Sequence, residues 1–94
     1  MSVVSRRQLR EWINIGDSLR TIKTSVTLLL AKSLQLRNDQ FRVEVLDLEE
    51  KVIELQTIVD TSNPLVLKEV KRSLLNISVE CIRLNNFMHQ LDHF

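Results

Sequence analysis

One glycine and one proline in 94 residues leave too little turn chemistry for the repeated tight turns of an all-β fold. A lone cysteine, Cys81, rules out an intramolecular disulfide and with it the stapled architectures of small secreted domains. Tyrosine is absent, and three phenylalanines with one tryptophan are few for stacking on nucleobases. Uncharged stretches such as Thr24 to Ala31 fall far short of the roughly 20 apolar residues that cross a bilayer, and residues 1–10 carry no apolar signal core. No glycine-rich phosphate loop is present. Thirteen basic against twelve acidic residues is neither a polybasic nor a uniformly disordered composition. These absences leave a reducing, cytoplasmic protein of a few long helices joined by short connections.

What is present is a helix seam, repeated three times. Apolar residues at alternating steps of three and four run Trp12, Ile15, Leu19, Ile22, Val26, Leu29, Ser33, Leu36; then Phe41, Val45, Leu48, Val52, Leu55, Val59; then Leu67, Val70, Leu74, Ile77, Cys81, Leu84, Met88, Leu91. Only Ser33 is plainly polar, so the spacing predicts α-helices packed along their lengths. A chain this short buries only about 60 to 65 per cent of its unfolded surface alone, so packing between helices or between copies must supply the core.

Boundaries follow from capping chemistry. Ser5 with Gln8 three residues on is a capping box, and Val4 with Leu9 fits a hydrophobic staple. The first helix is expected over residues 5–37, some 50 Å long. Gly16 costs about 1 kcal/mol relative to alanine inside it and allows a kink, but the seam keeps its phase from Trp12 and Ile15 to Leu19. One helix continuing to Thr61 is sterically allowed; against it, the seam shifts phase between Leu36 and Phe41, and Arg37, Asn38, Asp39 and Gln40 form a polar run that suits a turn and an N-cap. The second helix is therefore expected over 39–61. Asp60, Thr61, Ser62 and Asn63 before Pro64 predict a second break, with the third helix over 64–91. The fold class is an all-α, three-helix up-down-up bundle with coiled-coil-like packing, one helical domain over residues 1–94, expected to assemble into a dimeric or larger bundle.

Charge is segregated along the chain. Residues 1–37 hold seven basic and two acidic side chains, residues 38–63 two basic and seven acidic, and residues 64–94 four basic and three acidic. Antiparallel packing of the first two helices would set Lys23, Lys32 and Arg37 along one edge against Glu44 and Glu49 along the other. Each exposed pair contributes about 0 to 1 kcal/mol, so charge selects the arrangement more than it stabilises it.

The chain holds more apolar residues than the seams use. Leu30, Leu34, Leu46, Ile53, Leu75 and Ile82 lie beside the seams, wide enough for a helix to touch two neighbours or a second subunit. Val43, Leu65, Val66, Val79 and Phe94 are hard to place inside one small bundle. Self-association is expected, with Leu46, Ile53, Leu75 and Ile82 as the candidate oligomer interface.

Chemical sites are weaker. His89 and His93 share a helix face at a spacing that can hold a metal, yet further ligands are missing, and solvated imidazoles near a helix C-terminus are the expected reading. Cys81 lies on the seam with no activating neighbour and reads as an inert buried thiol, as Trp12, Phe87 and Met88 read as core or interface. Glu44, Asp47, Glu49, Glu50 and Glu54 read as a solvated face rather than catalytic carboxylates. No metal and no cofactor are expected. Arg6, Arg7 and Arg10 point away from the seam in the first helical turns, where they oppose the helix dipole and stand ready for a phosphate backbone or an acidic protein.

The function expected from these residues is a non-enzymatic protein–protein interaction module: an adaptor, an assembly subunit, or a small inhibitor or regulator of a larger protein. The alternative is a small nucleic-acid-binding regulator using Arg6, Arg7 and Arg10, with Arg20 beside them. Partners are a second copy or another protein, with no membrane.

Overall fold

The computed structural model describes residues 5–62 and 66–92. Three helices, α1 (Arg6–Leu36), α2 (Asp39–Thr61) and α3 (Leu67–Asp92), pack against one another in an all-α bundle, and the described residues contain no strand. The molecule is a rod with extents of 57 × 19 × 16 Å.

Local chemistry sets the ends. Ser5 Oγ accepts from the Gln8 amide at 3.1 Å, and the Ser5 amide donates to Gln8 Oε1 at 2.9 Å, which completes the capping box of α1. Val4, the other half of the expected staple, lies outside the described residues. Helix α1 passes through Gly16 and Asp17 as one element, so the possible break there is not used. It stops at Arg37, whose φ of 53° is left-handed and turns the chain back. Asn38 Oδ1 then accepts from the Phe41 amide at 2.9 Å and starts α2. The connection is a tight turn between two helices, not one helix through to Thr61. Helix α3 runs from Leu67 after a 3₁₀ residue at Val66, and the expected start at Pro64 falls in residues 63–65, which lie outside the described residues.

Packing follows the seams. Among the described residues every buried one is a seam residue, from Ile15 to Leu84 and including Ser33. The other seam positions, Trp12, Ile22, Leu36, Val59, Leu74, Met88 and Leu91, are partly buried against that core. Burial of one such aliphatic side chain stabilises by about 1.5 to 3 kcal/mol, so this set dominates the fold. The polar exception is satisfied internally: Ser33 Oγ donates to the Leu30 carbonyl at 2.6 Å. Phe41 from α2 meets Phe87 from α3, ring centroids 5.7 Å apart and tilted by 32°. Since the seams stay buried over their lengths, residues seven apart share a flank of their helix.

The expected charge register between α1 and α2 needs correction at one end. Glu44 does not face α1. Its Oε1 lies 3.2 Å from an Arg83 amino group, so it belongs to the α2–α3 groove, and Arg83 also holds Glu80 at 2.8 Å. Arg37 likewise belongs to the turn rather than to a helix edge. Lys23 does line the α1–α2 groove.

Candidate functional site

Two surfaces of the rod carry the candidate residues. The first is its basic end. Arg6, Arg7 and Arg10 are all exposed at the start of α1. In an up-down-up bundle α1 and α3 run parallel, so both begin at this end. The contact that shows it is Glu11 Oε1, which lies 3.7 Å from Arg7 Nε on its own helix and 3.7 Å from Lys71 Nζ on α3. Exposed Lys68, Lys71 and Arg72 thereby join the three arginines. Sequence reasoning found the first three and missed the second three. The signal available was topological: the third helix of an up-down-up bundle starts where the first one does. Arg20 lies apart from this group, in the α1–α2 groove, 3.9 Å from Asp17.

The second surface is apolar and flanks α1. Leu46, Ile53, Leu75 and Ile82 are all exposed, at 44, 55, 64 and 62 per cent. They do not form one stripe. Asp60 of α2 lines the groove facing α1, and Leu46 and Ile53 stand two heptads and one heptad before it on the same flank. Leu75 lines the opposite groove, between α1 and α3, and Ile82 follows one heptad later. The four residues therefore lie on two faces separated by α1. On the α1–α2 face they are joined by exposed Leu9, Ile13 and Leu34 of α1, and on the α1–α3 face by exposed Leu28. Sequence reasoning did not select Ile13 or Leu28, which repeat on no seam.

The α1–α2 face carries a groove of about 500 Å³ near its basic end, with Trp12, Ile13 and Val59 as apolar walls and Arg20, Lys23 and Asp60 at its rim. Gly16 lines it as well, and a Cβ built there meets nothing within 4 Å. The fold itself does not call for glycine at this position.

The titratable groups are placed plainly. Cys81 is buried on the seam, and desolvation pushes its thiol up, away from the thiolate that chemistry needs. Asn85 Nδ2 donates to the Cys81 carbonyl at 3.0 Å. The hydrogen bond from Arg83 holds the Glu80 carboxyl below its usual range. The second oxygen of Glu44, Oε2, is buried without a hydrogen-bond partner. His89 is exposed, and His93 lies outside the described residues. Among the described residues no three His, Cys, Asp or Glu side chains gather in a way that could hold a metal ion, and no helix is long and apolar enough to cross a membrane.

No protein family matches the chain, and no curated protein or solved structure resembles it to a significant degree.

Proposed function

We propose that this chain is a non-enzymatic protein–protein interaction module of the cytoplasm, an adaptor, assembly subunit or small regulator that works by presenting helical surfaces. The observation that carries the reading is the pair of apolar flanks on either side of α1, where Ile13, Leu34 and Ile53 on one face and Leu28, Leu75 and Ile82 on the other stand more than half exposed although the core is already complete without them. Single exposed leucines are ordinary; repeated ones along two helical flanks favour a covering partner. The buried, poorly ionised Cys81 thiol speaks against thiol catalysis and fits a reducing compartment.

The test is affinity capture with mass spectrometry from the source cells, using wild type, Leu34→Glu/Ile53→Glu and Leu75→Glu/Ile82→Glu. All three proteins should carry the same helix content by circular dichroism. Partners lost with one pair and retained with the other support the reading; identical captures from all three proteins contradict it.

A second reading rests on the basic end. Six cations from two parallel helices, with Glu11 and Glu69 among them, favour an anionic partner such as a nucleic-acid backbone. Replacing Arg6, Arg7 and Arg10 with Gln should then lower affinity for DNA or RNA and flatten its salt dependence, and replacing Lys68, Lys71 and Arg72 should add to the loss. Absence of binding by wild type at low salt removes this reading.

A further inference from the structure

We infer that two copies of this chain associate through the α1–α2 face, about a two-fold axis running along the rod, so that each α1 lies beside the other copy's α2 and the four helices close around Ile13, Leu34, Leu46 and Ile53. The inference rests on the interaction reading above and names the partner of one of its two faces.

Three observations select this face and this partner. Among the described residues the α1–α2 face exposes five large apolar side chains, Leu9, Ile13, Leu34, Leu46 and Ile53, against three on the α1–α3 face. Charge then chooses the occupant. Residues 1–37 carry seven basic and two acidic side chains while residues 38–63 carry two and seven, so a second copy brings an acidic helix to a basic one twice over. A two-fold axis along the rod makes that pairing, because each α1 then neighbours an antiparallel α2 of the other copy; an axis across the rod stacks α1 on α1 and opposes like charges. Arg20 and Lys23 on the α1 side and Asp60 on the α2 side, with Glu49 one heptad before the groove residue Gln56, are the side chains so matched.

Area and fit agree. The face shared by the two helices is roughly 35 Å long, from 23 residues of α2 at 1.5 Å each, and about 19 Å wide, which gives on the order of 700 Å² per copy before corrugation. A standard interface takes about 800 Å² from each partner. Gly16 supplies the local fit. It carries the helix penalty of glycine where the isolated fold leaves open space, and it sits in the groove of this face, where a neighbouring chain approaches.

The experiment is sedimentation equilibrium over a concentration series. Wild type is expected as a reversible dimer. Leu34→Glu/Ile53→Glu should weaken association by at least about tenfold, and Leu75→Glu/Ile82→Glu on the other face should leave it within about twofold. Gly16→Gln, which meets open space in one copy, should keep the helix content and weaken the dimer. Helix content by circular dichroism identifies any variant that fails to fold, and Lys substitutions at the same positions replace it. Spin labels at position 10 in a Cys81→Ala background read the axis: separations short beside the 57 Å rod support it, and separations near the rod length overturn it. A dimer broken only by the Leu75 and Ile82 pair overturns the face. A monomer at every concentration overturns the dimer altogether, while the capture experiment, which detects foreign partners, decides the interaction reading separately.

Discussion

Gly16 and Arg37 hold each other's preferred places. Gly16 sits inside α1 with open space where a Cβ would go, whereas Arg37 takes the left-handed conformation at the helix end that glycine adopts without strain. Gly16→Ala is therefore expected to raise the stability of the dilute chain by up to about 1 kcal/mol, and Arg37→Gly to raise it by a similar amount, each seen as a higher urea midpoint at unchanged slope. A lower midpoint for Gly16→Ala would mean that the groove is tighter than its geometry. Ser33 is a different case. It is the polar member of the first seam, and its bond to the Leu30 carbonyl removes the desolvation penalty that burial would otherwise impose.

The elements were largely legible in the sequence, for a physical reason. Seam spacing reports burial directly, because a helix that packs lengthwise must place its apolar residues three and four apart, and all the seam positions are buried or partly buried. The contrast within α3 tests this phase. Leu84 is fully buried and Ile82, two residues away, is 62 per cent exposed. Leu84→Ala should cost about 2 to 5 kcal/mol in urea unfolding and Ile82→Ala less than about 1 in the dilute chain. Equal losses would contradict the register. Less legible were the flanks. Spacing along one helix does not say on which side each neighbour packs, so it neither places Glu44 beside α3 nor separates Leu46 and Ile53 from Leu75 and Ile82.

The Arg83 strap between α2 and α3 also belongs to this scale. Its hydrogen bond lowers the Glu80 pKa, so the stabilisation is present above the ordinary glutamate range and is lost as pH falls through the lowered folded value. The pair is solvent-screened, and its contribution is no more than about 1 kcal/mol. Arg83→Gln should accordingly lower the urea midpoint near neutral pH and narrow the gap to wild type as the solution is acidified. A gap that stays constant down to acid pH would assign the strap's effect to packing of the arginine stem instead.

At the scale of the whole molecule, a rod of three helices separates holding together from reaching out. The seams complete the core, and the flanks of α1 are left facing solvent. The same topology collects Lys68, Lys71 and Arg72 beside Arg6, Arg7 and Arg10, a grouping that no single stretch of sequence contains. The most direct measurement of this division is thermal unfolding followed by circular dichroism as protein concentration is varied. Association of folded chains makes Tm rise with concentration, so wild type should melt higher as it is concentrated, while Leu34→Glu/Ile53→Glu should be equally helical and melt at one temperature throughout. A wild-type Tm that does not move with concentration, or a variant that loses its helices along with its association, would contradict the account.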